Sequence, residues 1–211
     1  MQPLVHKINQ EMEVPDKFDQ YTLDKLINEN DFSVIYGAYK KNSSKKLAIK
    51  CYSKVLYPYI QHESIIMEQV RHRHIIKSYR SFHYPPDNPR FFAIVMPRAE
   101  FDLEEYIDGR LILSEPQVCR IIANLLDALG VLHSSGIWHR DIKLENILIM
   151  EVTYKGPSVV LTDFGLSCVT SDEEIEDRGV GTDVYAAPEL LEYDPEGEYF
   201  SKFKDKVKCM F

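Results

Sequence analysis

Three short polar motifs in a fixed order constrain the fold of this chain more than any other feature. The first reads H-R-D-I-K-L-E-N from His139 to Asn146, the second is D-F-G at Asp163–Gly165, and the third is A-P-E at Ala187–Glu189. Apolar runs at 147–149 and 159–161 separate the first two motifs and predict a pair of buried strands. That strand pair would carry Asp163 to the end of the first motif.

All three motifs match the signature set of the eukaryotic protein kinases. The chain resembles that family, in its serine/threonine branch, from Phe18 to its last residue. Lys143, placed two residues after Asp141, and the pair Gly181-Thr182 follow the serine/threonine pattern. The residues of the first and third motifs resemble most closely those of the calmodulin-dependent and AMP-activated group. The resemblance implies that Thr182 is linked to Asp141 and Lys143.

The resemblance implies an α+β, two-lobed kinase-like fold. An antiparallel sheet with one helix is expected over residues 18–96, and a mainly helical C-lobe over 97–211, after a flexible lead-in at 1–17. Strands are expected at Phe18–Ile27, Ser33–Lys40, Lys45–Tyr52, Ile76–His83 and Phe91–Met96, and helices at Tyr59–Arg71 and Ser114–His133.

Phosphoryl transfer depends on positioning and charge neutralisation more than on covalent chemistry. The resemblance implies that Asp141 is the catalytic base and that Lys143 stabilises charge at the γ-phosphate. Asn146 and Asp163 would hold Mg²⁺ through the oxygen ligands that this hard cation prefers. The implied reaction transfers the γ-phosphate of ATP to Ser or Thr hydroxyls of protein substrates. The alternative is a pseudokinase, a kinase-like regulatory or interaction module.

Leu47–Lys50 matches the V-A-I-K strand of the family. Lys50 would contact the α- and β-phosphates, and it needs an acidic partner on the next helix. The register set by residues 72–75, which match the family's H-P-N-I, favours Glu63 as that partner, with Glu68 as the competing candidate.

The resemblance also implies a pocket for the adenine and ribose of ATP. Its expected residues are Ile27, Ile35, Ala48, Lys50, Met96, Pro97, Ala99, Asp102 and Leu148. In the hinge, Pro97 would contribute a carbonyl and Ala99 an N–H, so that the missing N–H of proline is tolerated. Asp102 is expected to reach the ribose, and a second role as the cap of the helix that follows it is compatible with that expectation.

The loop that covers the phosphates in the family contains no glycine here. Asn28, Asn30 and Ser33 occupy the three glycine positions. Glycine permits positive φ and a close approach of the backbone to phosphate. Asparagine tolerates positive φ better than most residues, so the turn can form, but its side chains occupy space near the phosphates. The loop therefore predicts weak nucleotide binding and favours the pseudokinase alternative.

The segment between the second and third motifs carries an acidic run at 172–177. In regulated kinases a phosphate three residues before the Gly-Thr pair docks on the arginine of the first motif, here Arg140. Arg178 occupies that position, so Glu176 or Asp177 would imitate the phosphate, or the run is a solvated loop.

The net charge of −8 argues against nucleic acid or an anionic membrane as a partner. Four scattered cysteines without C-x-x-C spacing favour a reduced, cytoplasmic protein, and no signal peptide or apolar span is evident. The family continues with several helices after A-P-E, whereas residues 190–211 follow here. We therefore expect a C-lobe without its last helices and an apolar face on its long helix that a partner protein could cover.

Overall fold

A six-stranded antiparallel sheet forms the first half of the fold. The computed structural model describes residues 14–18, 20–30, 33–53, 57–109, 112–154, 156–169 and 181–186. In space the strands follow the order β1-β2-β3-β4-β6-β5. Their bounds are β1 Lys17–Phe18, β2 Tyr21–Glu29, β3 Ser33–Lys40, β4 Lys46–Ser53, β5 Arg80–Tyr84 and β6 Phe91–Pro97.

Side chains alternate between the two faces of this sheet, and each face has its own core. On β6, Phe92, Ile94 and Met96 pack into an inner cluster that extends into the C-terminal half. Their neighbours Phe91, Ala93 and Val95 pack into an outer cluster with Phe18. Strand β4 alternates in the same way, because Ala48 and Tyr52 join the inner cluster while Leu47, Ile49 and Cys51 join the outer one. The alternation places Lys50 on the inner face.

Helix α1 (Tyr57–Gln69) packs against the inner face. Its buried residues include Glu63, Ile66 and Met67, and Val70 continues the same side just past the end of the helix. Their spacing of three and four residues places them on one stripe of the helix. Glu63 is therefore directed towards the sheet together with apolar neighbours.

The described residues of the second half form two helices and several short strands. A three-stranded sheet has the order β10-β9-β7, and a two-stranded sheet pairs β8 with β11. The bounds are β7 Phe101–Asp102, α2 Leu103–Asp108, α3 Glu115–Ser134, β8 Ile137–Trp138, β9 Ile147–Thr153, β10 Gly156–Leu161 and β11 Cys168–Val169, with 3₁₀ turns at Leu144–Asn146 and Asp183–Tyr185.

The long helix α3 begins where the sequence predicts. Ser114 precedes it, and the side chain of Gln117 accepts hydrogen bonds from the Ser114 N–H at 2.9 Å and from its hydroxyl at 3.0 Å. One side of α3 is buried through Ile121, Ala128 and Leu132. Another side exposes Val118, Ile122 and Leu126 to about two fifths or one half. The described helices include none that is both long and apolar enough to cross a bilayer.

The predicted strand at Ile76–His83 is wrong in its first half. Strand β5 begins only at Arg80. Ile76 is buried in the inner cluster, and its N–H donates to the carbonyl of Leu161 at 2.9 Å. Ile75 forms a parallel bridge with the same Leu161. This segment therefore joins the two halves of the molecule instead of extending the sheet.

The predicted strand Phe18–Ile27 is wrong in its first part, because it is split into β1 Lys17–Phe18 and β2 Tyr21–Glu29, which pair with each other. Several other boundaries differ by one or two residues. Lys17, predicted to lie in the flexible lead-in, pairs with Thr22, and Val14 packs against the outer cluster. Helix α1 begins at Tyr57 instead of Tyr59, and β4 ends at Ser53 instead of Tyr52. Predictions on the lead-in before residue 14, the acidic run at 172–177, A-P-E and residues 190–211 lie outside the described residues.

Truncation of Leu132 tests the inner core. Its side chain is 0% exposed on α3, whereas Leu126 on the same helix is 49% exposed. We expect Leu132→Ala to lower the free energy of unfolding by about 2–5 kcal/mol, because it removes packed methyl groups and leaves a cavity. Leu126→Ala is the matched control and should cost less than about 1 kcal/mol. Urea denaturation measures both, and equal losses would contradict the assignment of the buried side.

Candidate active site

A buried ammonium group lies at the junction of the two halves. Lys50 is 5% exposed, and its Nζ lies 3.1 Å from Glu63 Oε1 and 2.8 Å from Asp163 Oδ1. Burial by itself would lower the pKa of Lys50, but the carboxylates of Asp163 and Glu63 raise it well above the usual range. Lys50 therefore stays charged, and it holds together a strand, a helix and the turn after β10.

The D-F-G turn is shaped by an unusual backbone at its first residue. Asp163 has φ of +65°, a conformation that costs a non-glycine residue energy. Loss of water around the carboxylate would raise its pKa, but the ammonium of Lys50 outweighs that effect and lowers it. Phe164 is fully buried in the inner cluster and thereby anchors the turn.

A second network surrounds the carboxylate of Asp141. Thr182 donates its hydroxyl to Asp141 Oδ1 at 2.7 Å, and Lys143 donates to the Thr182 hydroxyl at 2.9 Å. On the other oxygen, Asp141 Oδ2 lies 3.2 Å from Lys143 Nζ and 2.9 Å from Asn146 Nδ2. Both carboxylate oxygens are thus oriented by neighbours, and the side chain is fixed in one direction.

Two backbone features make this network possible. Gly181 has φ of +126°, and a Cβ there would lie 2.8 Å from the carbonyl oxygen of Arg140. Only glycine allows the chain to approach that closely, and Thr182 follows it directly. Arg140 itself has φ of +65°, and its Nε donates to the carbonyl of Leu166 at 2.6 Å.

The ring of His139 supports the backbone of the first motif next to Asp141. Its Nε2 lies 2.9 Å from the Thr162 carbonyl, and its Nδ1 lies 3.3 Å from the Asp141 N–H. These partners assign the hydrogen to Nε2 and the lone pair to Nδ1, which is a neutral ring. Burial lowers the pKa of His139, in agreement with that neutral form.

Comparison with known proteins identifies the family. Residues 21–203 match the sequence model of the protein kinase domain. The chain belongs to the protein kinase family. It is 31% identical over 183 residues to the serine/threonine-protein kinase fused of Drosophila melanogaster. It is 32% identical over 184 residues to the serine/threonine-protein kinase TIO of Arabidopsis thaliana.

A third relative is the putative 3-phosphoinositide-dependent protein kinase 2 of Homo sapiens, with 33% identity over 184 residues. These matches cover 84%, 84% and 82% of this chain. They cover only 22%, 13% and 44% of the three relatives. The chain thus spans less than half the length of each of these three relatives.

The kinase ion pair has the predicted partner. Lys50 contacts Glu63, whereas Glu68 Oε1 accepts a hydrogen bond from the Ser81 hydroxyl at 2.7 Å at the surface. Asp141, Lys143 and Thr182 are linked as the sequence predicts. The structure also places the Asp163 carboxylate beside the ammonium of Lys50.

Most residues predicted for the adenine pocket lie together. Ala48 and Met96 belong to the inner cluster, and Ile35 and Leu148 pack against it. Ala48 is paired with Met96 in the register of β4 and β6. Ile27 differs, because it lies at an irregularity of β2, is exposed and is not part of that cluster.

The hinge extends β6 and leads into the capped helix α2. Pro97, at the end of β6, is opposite Leu47, and Ala99 lies in the connection to β7. Asp102 caps α2, since its carboxylate accepts the Glu105 N–H at 2.8 Å. It is also paired with Leu148, so the capping residue lies beside the predicted floor of the pocket.

The turn that replaces the glycine-rich loop is closed differently from the sequence-based expectation. None of Asn28, Asn30 and Ser33, all of which are described, has positive φ. Instead, Asn30 Oδ1 accepts the Ser33 N–H at 2.8 Å, and the Asn30 N–H donates to the Ser33 carbonyl at 3.0 Å. A side chain therefore uses a backbone donor that a phosphate-binding loop would offer to its ligand.

The predicted magnesium ligands fit that ion in their chemistry. Asn146 Nδ2 donates to the Asp141 carbonyl at 2.8 Å as well as to its carboxylate, which leaves the amide oxygen as the atom that Asn146 offers a cation. Asp163 adds carboxylate oxygens. Hard oxygen ligands of this kind are those that Mg²⁺ prefers. Among the described residues no group of three His, Cys, Asp or Glu side chains is placed to hold a metal.

Three contacts at the site were not foreseen from the sequence. Tyr52 donates its hydroxyl to Glu63 Oε2, His62 Nε2 lies 3.2 Å from the Gly165 carbonyl, and Arg98 contacts Asp24 Oδ2 at 2.8 Å beside the hinge. The alternation of side chains along a strand indicates that Tyr52 lies near the ion pair, because it is two residues after Lys50 and must share its face. No motif indicates the other two contacts.

The lowered pKa of His139 predicts a decline of stability in mild acid. In the unfolded chain this ring binds a proton below about pH 6.5, whereas in the folded chain it binds one only at a lower pH. The free energy of unfolding of the nucleotide-free protein should therefore fall from pH 7.5 to pH 5.5. Asp163 adds a separate loss at lower pH, which begins as the pH falls below the ordinary carboxyl pKa of about 3.9 and continues down to the lowered pKa of the folded state. Urea denaturation at each pH measures the slope.

His139→Gln keeps a donor for the Thr162 carbonyl and removes the titration. Its free energy of unfolding should depend less steeply on pH between 7.5 and 5.5 than that of the wild type. Parallel pH profiles of the two proteins would assign the acid loss to other groups.

Proposed function

We propose that the chain is the catalytic part of an ATP-dependent protein serine/threonine kinase. The observation that carries this proposal is the network at Asp141, whose two carboxylate oxygens are held by Thr182, Lys143 and Asn146. A base that must accept a proton from a substrate hydroxyl needs a fixed direction, and this network supplies one. Family membership supports the same reaction.

Each side chain then has a distinct task. Asp141 orients the substrate hydroxyl and takes its proton, and the ammonium of Lys143 stabilises charge on the transferred group. Lys50, aligned by Glu63, holds the α- and β-phosphates. Asn146 and Asp163 would hold Mg²⁺, which would neutralise phosphate charge.

The pseudokinase alternative is favoured by the closed turn at Asn30 and Ser33. With its N–H bonded to a side chain, this turn offers the nucleotide fewer donors than a glycine-rich loop. In that function the chain would bind a partner protein and not transfer phosphate. The arrangement of Asp141 favours the enzyme over this alternative.

We further propose protein substrates, a cytoplasmic location and membership of the calmodulin-dependent and AMP-activated group. The last two rest on the cysteine pattern and on the wording of the motifs. We also propose that a partner protein covers the exposed side of α3. The half-exposed apolar side chains of Ile122 and Leu126 support this proposal.

Asp141→Asn tests the reaction directly. Phosphate transfer from ATP to a generic basic protein should fall by about 10²- to 10⁴-fold, because the amide cannot accept the proton. The affinity for MgATP, measured by calorimetry, should change by less than about threefold. Asp127→Asn is the matched control, since this α3 carboxylate pairs with Arg73 at the surface at 3.1 Å. If both variants retain the wild-type rate, or the wild type transfers no phosphate, the enzyme proposal is wrong.

The turn over the phosphates gives a second test. Replacing Asn28, Asn30 and Ser33 together by glycine should tighten MgATP binding by about fivefold, the equivalent of roughly one hydrogen bond. The glycines free the Ser33 N–H from its hydrogen bond to Asn30 Oδ1, and they remove side chains that occupy space near the phosphates. Asn42→Gly, in the remote turn between β3 and β4 where φ is already +63°, should leave the affinity unchanged. Unchanged or weaker binding by the triple variant would contradict this account of the turn.

A further inference from the structure

Tyr52 lies beside the kinase ion pair because of its place in β4. Residues two apart on a strand share a face, so Tyr52 follows Lys50 onto the inner side while Cys51 points to the outer one. Tyr52 is 2% exposed, and the Lys50 ammonium lies 5.1 Å from the centre of its ring. This is a cation–π distance, which restricts where the lysine can turn.

The carboxylate of Glu63 has one partner for each oxygen. Lys50 donates to Oε1 at 3.1 Å, and the Tyr52 hydroxyl donates to Oε2. Glu63 is 1% exposed on the same stripe of α1 as Ile66 and Met67. A carboxylate buried among apolar groups requires donors at both oxygens, since an unsatisfied one costs several times an ordinary hydrogen bond.

The two donors differ in what else they must do. Lys50 also contacts Asp163 at 2.8 Å, and under the proposed function it must turn towards phosphate. Tyr52 is not required to turn towards phosphate, and it belongs to the same sheet whether or not ATP is bound. Burial, followed by the nearby Glu63 carboxylate, raises the pKa of Tyr52 well above its usual range, so the hydroxyl keeps its proton.

We propose that Tyr52 is a positioning residue whose hydroxyl holds Glu63, and with it helix α1, against β4 before nucleotide binds. The ion pair is then aligned in the nucleotide-free protein. The proposal rests on the proposed function only where it concerns the task of Lys50 at the phosphates.

Tyr52→Phe isolates the hydroxyl, because phenylalanine keeps the ring, its packing and its contact with the ammonium. Tyr21→Phe is the matched control. Tyr21 is also buried in the same sheet, but on the outer face, where its hydroxyl is 3.4 Å from Gln20 Nε2. Both variants are expected to fold, which a cooperative thermal melt verifies.

The first measurement is amide hydrogen exchange of helix α1 in the nucleotide-free protein. Tyr52→Phe should accelerate exchange across Tyr57–Gln69 by about tenfold, and Tyr21→Phe by less than twofold. Glu63→Met removes the acceptor, so adding Tyr52→Phe to that variant should change α1 exchange by less than a further twofold. Unchanged exchange in Tyr52→Phe, or the same tenfold effect in the Glu63→Met background, would overturn the proposal.

The second measurement is MgATP affinity. Tyr52→Phe should weaken binding by about five- to tenfold, and Tyr21→Phe should not. A wild type that binds no MgATP would refute the proposed function, while hydrogen exchange alone would still decide whether the hydroxyl holds α1. A wild type that binds, together with a Tyr52→Phe variant that has fast α1 exchange and unaltered affinity, would refute the alignment of Lys50 by Tyr52.

Discussion

The buried ammonium of Lys50 is the interaction on which the arrangement of the site depends. Removing a charge from water costs several kcal/mol, and carboxylates with good geometry must offset that cost. Glu63 comes from helix α1 and Asp163 from the turn after β10. Because each carboxylate must come within about 3 Å of one nitrogen, strand, helix and turn cannot shift independently. A single electrostatic requirement thus fixes three elements that are distant in sequence.

Apolar packing makes that requirement achievable. Met67 and Phe164 belong to the same inner cluster as Ile94 of the sheet, so the helix, the D-F-G turn and β6 share one core. The Ile76 N–H and the Leu161 carbonyl add a backbone link between the two halves. The charged groups are therefore held on rigid supports, and their geometry costs little when a ligand arrives.

The sequence predicted the elements that follow a simple period or a motif. Alternation on β4 and β6, the register that selects Glu63 over Glu68, and the start of α3 after Ser114 are all of this kind. The Asn30–Ser33 turn and the late start of β5 were not predicted, because each depends on a local competition. An amide side chain replaces a positive-φ turn in one case, and a core contact at Ile76 displaces strand pairing in the other. Contacts such as Tyr52 with Glu63 need two elements to be placed before they can be recognised.

The glycine-free turn and the complete Asp141 network do not contradict each other. Backbone donors over the phosphates contribute to binding of the nucleotide as well as to the transition state, so their loss lowers affinity. Under the proposed function, the Asp141 carboxylate and the Lys143 ammonium would act on the proton and the charge that develop during transfer. Since these two sets of groups lie on different elements, one can change without the other. Under the proposed function, departures confined to Asn28, Asn30 and Ser33 would therefore weaken the binding of ATP and leave the groups proposed for the transfer in place.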